Sequence, residues 1–258
     1  MLTYYRTMTN NLLQSPAAPT TLYDSTSIDL WINTARAQVA GEGECIRVLG
    51  TLNTTIGQRN YNFSSINIGV VATTGAQGAL HVRAIRYALA SGYKWIRPRN
   101  WEWFDFYRLN NPAPVNGPPE VWSQYAQGGA GSGSITGIGT GTMDSGSFYL
   151  DPPPDIAYAL TCDCVCYPQA LSADTDVEAI PYMWGMAVPF LAAYYALMSA
   201  QTGARYGDAE RLYSHFETFM DRARKAANSS VNRYLYQQSV DVTLLNKLGQ
   251  MPKAASGG

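Results

Sequence analysis

The sequence is poor in charged residues, above all in lysine and histidine. Charged residues make up 14% of the 258 residues, well below the roughly 25% that is typical of soluble domains. There are 14 arginines, 4 lysines and 2 histidines, and the formal net charge is −1. Such a balance excludes the strongly basic surface of a polyanion-binding protein. The length suffices for one large domain or two small ones with a substantial core.

Cysteine is also scarce, with four residues, too few for a disulfide scaffold in a chain of this length. Three of them, Cys162, Cys164 and Cys166, occupy alternate positions. Alternate residues of a strand share one face, and this face also carries Ile156, Tyr158 and Leu160. Zinc sites usually pair cysteines on turns, whereas alternate strand residues lie about 6.5–7 Å apart. We therefore expect a buried strand, a reducing compartment and no metal site.

Motifs of catalysis and cofactor binding are missing as well. His81 and His215 are far apart in the sequence and lie in no recognisable motif. There is no G-x-S-x-G, H-E-x-x-H or paired-carboxylate signature. The glycine-rich residues 128–147 contain no lysine and neither nucleotide-binding glycine motif. We expect no enzyme and no cofactor, and we interpret residues 128–147 as a flexible loop or hairpin tip.

Targeting and membrane signals are not evident either. The N-terminal residues lack the basic and apolar regions of a signal peptide, so none is expected. Residues 184–200 are uncharged, but they contain Pro189 and two tyrosines and lack flanking basic residues. We interpret them as a buried central helix and expect no membrane partner.

The chain is instead rich in aromatic residues, with 18 tyrosines and 6 tryptophans. A surface with little charge and much Tyr, Trp and Arg has the composition of a protein interface, although a tyrosine-rich secreted or β-rich protein would share it. The densest stretch, residues 93–107, is either part of a β-domain core or a contact with another subunit or a tail protein. The residues proposed for the contact are Trp95, Trp101, Trp103 and Phe104.

Apolar residues recur with helical spacing near the N-terminus. Residues 3–13 predict a short helix, which ends before the prolines that follow. Residues 26–41 predict a second helix with an N-cap at Asp24 or a neighbouring serine. Its continuation through Cys45 and Val48 stays open.

The helical pattern returns after Pro168. The stretch DTDVEAIP predicts a capped turn or short helix ahead of the uncharged helix. A last helix then carries apolar residues on one face. It has acidic residues at its start and basic residues near its end, an arrangement that the helix dipole favours. The residues of that face are Leu212, Phe216, Phe219, Ala223 and Ala227.

The middle of the chain has strand character, with β-branched and aromatic residues and frequent glycine. In residues 80–85, apolar Leu80, Val82 and Ala84 alternate with the residues between them. We therefore predict an α+β fold. A helical bundle of residues 1–49 and 168–229 carries an inserted antiparallel β-domain of residues 50–167 and an extended C-terminal arm of residues 230–258.

Four stretches resemble the head-to-tail adaptor proteins of tailed bacteriophages, also called connector or head completion proteins. They are DLWINTARAQVAGEGECIRVL, YKWIRPRNWEWFDFYRL, the run from GSFYLDPPP to YYALMSAQ, and RLYSHFETFMDRAR. Together they span most of residues 24–227. The resemblance depends on their order and on the run from YLDPPP to AIPYMWGMAV.

The resemblance implies a structural virion protein of the neck, assembled in the host cytoplasm. It would form a ring, usually dodecameric, between the portal and the tail or nozzle proteins, with helices near the portal and the β-domain facing the tail. Double-stranded DNA would pass through the ring during genome ejection without sequence-specific binding. A near-neutral chain with few lysines suits such a channel, because each phosphate contact adds affinity.

In adaptors of this kind the C-terminal segment often reaches the portal. The predicted arm contains apolar residues without a regular period, and our hypothesis is that it folds on binding the portal; the alternative is a frayed terminus. The residues proposed to bind the portal are Tyr234, Leu235, Tyr236, Val240, Val242, Leu244 and Leu245.

Two rival interpretations remain. One is another tail, nozzle or stopper protein of the virion, although terminal helices argue against an all-β tube protein. The other is a ligand-binding β-module that uses the glycine-rich residues as a binding loop.

Overall fold

The computed structural model describes residues 1–14, 23–89, 92–106, 115–125, 146–199 and 205–229. The helices are α1 (Leu2–Leu13), α2 (Ser25–Gly43), α3 (Val71–Thr74), α4 (Trp101–Phe104), α5 (Tyr182–Gly185), α6 (Ala187–Ser199) and α7 (Tyr206–Ser229). The strands are β1 (Arg47–Asn53), β2 (Asn60–Asn62), β3 (Ala76–Leu89), β4 (Gly92–Pro98), β5 (Val121–Gln124), β6 (Ser147–Asp151) and β7 (Ala159–Pro168). The predicted α+β fold is confirmed.

The two N-terminal helices lie where the periodicity predicts them. The carboxylate of Asp24 accepts a hydrogen bond of 3.1 Å from the backbone N–H of Thr26 and caps α2, as expected of an aspartate at this position. The helix ends where Glu44 takes a left-handed conformation, with φ of 46°. The continuation through Cys45 and Val48 is wrong, because the chain turns here and enters β1 at Arg47.

Helix α6 is the centre of the helical part. It packs against α1, α2 and α7, and its side chains are mostly buried, as predicted. Among the described residues, no helix combines the length and apolar character needed to cross a membrane. On α7, Leu212, Phe216 and Ala223 are buried as expected, while Phe219 packs on the core from a half-buried position.

In the described part of the chain, seven strands form a single sheet in the order β1-β7-β3-β4-β5-β6-β2. Neighbouring strands are antiparallel except β4 and β5, which run parallel, so the sheet is mixed. Strand β3 contains register shifts, one of them between Val82 and Ala84. Each shift moves the following side chains to the other face. The alternation predicted for residues 80–85 is confirmed for Leu80 and Val82, which are buried, and is wrong from Ala84, because Ile85 is completely buried in its place.

Strand β7 carries the three cysteines into the core. Cys162, Cys164 and Cys166 are completely buried, as predicted from their shared face. Val165, on the opposite face, is buried too, whereas Ile156 precedes the strand and is 54% exposed. One apolar cluster runs from the helices into the sheet.

The predicted division at residues 49/50 and 167/168 stays a prediction. The predicted C-terminal arm and most of the glycine-rich residues 128–147 lie outside the described residues.

Candidate interaction surface

The β3–β4 pair carries an arginine stacked on two exposed aromatic rings. Arg86 lies opposite Trp95 in the strand register. Its guanidinium carbon is 4.2 Å from the ring centre of Tyr93 and 5.4 Å from that of Trp95, within the range of cation–π attraction. Tyr93 is 61% exposed and Trp95 is 45% exposed. The stacking therefore holds a positive charge at a fixed position on the protein surface.

Two further arginines follow along β4 and beyond it. Arg97 and Arg99 are exposed, and their backbone N–H groups donate hydrogen bonds of 2.9 Å to the carbonyl oxygens of Glu120 and Trp122. The guanidinium carbon of Arg99 lies 5.1 Å from the ring centre of Trp103. We call the surface formed by Arg86, Tyr93, Trp95, Arg97, Arg99 and Trp103 the β4 surface.

The arginines of the β4 surface, Arg86, Arg97 and Arg99, form no salt bridge with any carboxylate in the described residues. Lys94, on the same strand, lies 3.9 Å from the carboxylate of Glu120. An arginine-rich surface without acidic partners attracts negative charge from another molecule.

A cluster of aromatic rings supports one end of this surface. The ring of Trp101 lies 4.5 Å from that of Tyr125 and 5.0 Å from that of Tyr149, between centres. Phe104 stacks beneath Trp101 and is completely buried. Part of the aromatic stretch is therefore core.

Of the residues proposed for a subunit or tail contact, Trp95 is exposed, Trp101 and Trp103 are half-buried, and Phe104 is buried. The hypothesis of a subunit or tail contact therefore applies to the three tryptophans and not to Phe104. Sequence reasoning did not single out Arg86, Tyr93 or Tyr125, the last of which is 60% exposed. Positions 93, 95 and 97 alternate within one strand, which could have indicated a shared face.

The cysteine strand has no sign of reactivity. Burial raises the pKa of the Cys162 and Cys166 thiols to about 12 and also raises that of Cys164. Thiols in this state are poor nucleophiles and poor metal ligands. In the described ranges, His, Cys, Asp and Glu side chains form no group of three that could hold a metal ion.

The two histidines occupy separate places in the fold. Nε2 of His81 on β3 lies 3.5 Å from one carboxylate oxygen of Glu44. The other carboxylate oxygen accepts a 2.8 Å hydrogen bond from Arg83. His215 lies on α7, where its ring centre is 5.5 Å from that of Phe190. The salt bridge of Glu44 with Arg83 joins the end of α2 to β3, and His81 lies beside it.

A cavity of about 300 Å³ lies beside α1, far in the sequence from the glycine-rich residues. Tyr4, Tyr5, Tyr182 and Met186 contribute to its wall. Its carboxylate, Glu178, already forms a salt bridge with the buried Arg36. The cavity therefore presents chiefly aromatic and thioether groups.

Comparison with protein families matches the model of the SU10 adaptor protein family to residues 5–242. The chain belongs to this family. No curated protein matches it.

As an SU10 adaptor protein, the chain is a phage adaptor and a structural component of the virion. The family is one of structural adaptor proteins, which argues against an enzyme. The match extends into the predicted C-terminal arm. The proposed portal-binding residues lie outside the described residues, so their role stays a hypothesis.

Proposed function

We propose that the chain forms a ring, dodecameric by analogy with other adaptors, between the portal and the tail of a tailed phage. The ring continues the DNA channel and provides the surface on which tail or nozzle proteins dock. The observation that carries this proposal is the family match over residues 5–242. An adaptor protein must contact other structural proteins of the virion, and the neck is where portal and tail have to be joined.

The distribution of exposed apolar residues supports contacts through both the helical part and the sheet. A closed ring uses two different patches on each subunit, and its ends contact further proteins. In the helical part, Tyr182 and Met183 are 69% and 61% exposed. In the sheet, Leu49 and Tyr93 are 63% and 61% exposed. Large apolar side chains on both parts suit a protein that is covered by partners after assembly.

Pairing of the arginines supports a DNA channel with weak affinity for its contents. Many arginines form salt bridges within the chain, among them Arg6 with Asp29, Arg59 with Asp151 and Arg224 with Glu42. Neutralised arginines contribute little to phosphate binding, which depends on the release of counterions. Such a surface would let DNA move past it.

Deletion of residues 231–258 tests the proposed attachment to the portal. We expect the truncated chain to fold, because it keeps all the buried residues of the two described apolar clusters, from Leu2 to Ala223, and to lose its binding to portal-containing heads. Circular dichroism and sedimentation with purified heads would measure both properties. Normal docking of the truncated chain would exclude the arm as the anchor.

A mass measurement tests the ring itself. We expect the full chain mixed with portal protein to give a ring of many copies by native mass spectrometry, and cryo-EM of the neck to place it between portal and tail. A chain that stays monomeric with portal protein present and absent from the neck would overturn the proposal.

A further inference from the structure

Among the described arginines, five form no salt bridge, and three of these, Arg86, Arg97 and Arg99, lie together on the β4 surface, whereas Arg211 and Arg222 lie on α7. Elsewhere, even half-exposed arginines such as Arg6 and Arg47 form salt bridges with carboxylates. Arg86, Arg97 and Arg99 have no such partner among the residues described here. These three guanidinium groups favour an acidic ligand, because arginine binds carboxylates in a bidentate manner.

Strand β4 also has an edge that accepts an extended chain. The backbone N–H groups of Arg97 and Arg99 point toward β5. Because alternate residues of a strand direct their N–H groups to the same side, those of Tyr93 and Trp95 point to that side as well. On this side of β4, strand β5 pairs with Arg97 and Pro98 and accepts a hydrogen bond from Arg99 just beyond them. In the described residues, therefore, no strand covers the edge at Tyr93 and Trp95.

We propose that the β4 surface binds an extended, acidic segment of another structural protein of the virion. The segment adds as a strand at Tyr93 and Trp95, and its carboxylates bind Arg86, Arg97 and Arg99. The two exposed rings cover its apolar side chains. The inference deepens the proposed function, because it assigns a chemistry to the protein that docks on the adaptor. It rests on the proposed function for the identity of that partner.

A second copy of the chain does not fit this surface. Among the described carboxylates, Glu102, Asp105 and Glu210 have neither a salt bridge nor a hydrogen bond. The first two lie on α4 and its end, next to the arginines themselves. Glu210 lies alone on α7. No described strand thus offers a row of unpaired carboxylates.

Duplex DNA fits the surface poorly as well. Aromatic side chains stack on unpaired bases, and paired bases are stacked within the double helix. Tyr93 and Trp95 would therefore have no role on a duplex. The unpaired arginines would also hold passing DNA by its phosphates, so we place the β4 surface away from the channel.

Fluorescence anisotropy with short labelled peptides tests the inference on the full chain. We expect a peptide of alternating Glu and Thr to bind about tenfold more tightly than one of alternating Gln and Thr, because charge-assisted hydrogen bonds are the stronger ones. The preference should be much weaker in the double variant R97Q/R99Q, which leaves only the stacked Arg86 of the three arginines in place. It should persist in R211Q/R222Q, which removes two exposed arginines from α7.

Two further measurements make the test decisive. A Glu-Thr peptide with alternate N-methylated backbone nitrogens should bind weakly, since it cannot pair with a strand edge. Equal binding of the two forms, or of the Glu and Gln peptides, would overturn the proposal, as would displacement of the peptide by a short DNA duplex that requires Arg97 and Arg99. The assay needs neither ring nor portal, so its failure is distinguishable from failure of the proposed function.

Discussion

Arg36 and Glu178 form a bidentate salt bridge inside the protein. Nε and Nη2 of Arg36 lie 3.0 and 2.9 Å from the two carboxylate oxygens of Glu178. The arginine side chain is 0% exposed and the glutamate 7%. Arg36 also donates to the carbonyl oxygen of Gln169 at 2.7 Å. The pair thus joins α2 to the segment that leads into α5.

Removing one partner of this pair should destabilise the protein strongly. In E178Q the guanidinium of Arg36 stays buried without a matching charge, and we expect the free energy of unfolding to fall by about 3–5 kcal/mol. Urea denaturation followed by circular dichroism would measure the loss.

The Arg6–Asp29 pair is the matched control. Its side chains are 36% and 25% exposed, so water already solvates both charges, and D29N should cost less than about 1 kcal/mol. Equal losses in E178Q and D29N would show that burial does not decide the strength of these pairs.

The Arg36–Glu178 pair shows which kind of contact cannot be predicted from the sequence. The spacing of Ile28, Trp31, Ile32, Ala35 and Val39 predicts one apolar face of α2. The structure buries all of them except Trp31, which is half-buried against the core. That face leaves out Arg36, yet its side chain is completely buried. The partner of Arg36 lies 142 residues away, and a periodic pattern carries no information on a contact at that distance.

The candidate surface could be predicted in part, for a similar reason. The aromatic density of residues 93–107 indicated either core or a contact region, and the stretch contains both, since Phe104 is buried and Trp95 is exposed. The role of Arg86 depends on register shifts in β3, which no simple alternation predicts. The stacking of Arg86 on Tyr93 follows from that register.

His81 should make stability depend on pH. Burial lowers its pKa below the ordinary value of 6.5, with Arg83 acting in the same direction and Glu44 and Asp163 against it. As pH falls below about 6.5, the unfolded chain protonates this histidine before the folded chain does. The unfolded state then binds more protons, so the free energy of unfolding decreases with falling pH.

Replacing His81 isolates this effect. We expect wild type to lose stability relative to H81Q when urea denaturation is compared at about pH 7 and about pH 5. The variant H215Q, which removes the other histidine, is the control. Parallel pH curves for wild type and H81Q would contradict the prediction.

The cysteines should resist thiol reagents in the folded protein. Burial raises the pKa of Cys45, Cys162 and Cys166 to about 12, so few thiolates exist near neutral pH. We expect a disulfide reagent to label none of the four thiols rapidly until urea unfolds the chain. Rapid labelling of the folded protein, or about one tightly held zinc ion per chain, would contradict a purely structural role.

Two tryptophans of the aromatic stretch should behave differently on replacement by alanine. Trp101 packs among Tyr125, Tyr149 and Phe104, and W101A should lower the free energy of unfolding by about 2–4 kcal/mol. Trp95 is 45% exposed, and W95A should cost less than about 1 kcal/mol while weakening assembly with partners. Urea denaturation and neck assembly assays would separate the two roles, and equal stability losses would place both rings in the core.

Gly75 and Gly78 provide the sharpest local test of the fold. Gly75 has φ of +64°, and a Cβ there would lie 2.7 Å from the carbonyl oxygen of Val177 and 3.0 Å from the backbone nitrogen of Ala179. An alanine at position 75 would be strained in this backbone conformation, and its Cβ would collide with the backbone of residues 177–179. G75A should therefore lower the free energy of unfolding by at least about 1–3 kcal/mol. At Gly78 a Cβ meets nothing within 4 Å, and G78A should be neutral or slightly stabilising, because alanine restricts the unfolded chain. Gly75 immediately precedes β3 and Gly78 lies near its start. A similar effect of the two substitutions on stability would mean that the chain at Gly75 does not approach residues 177–179 as closely as described.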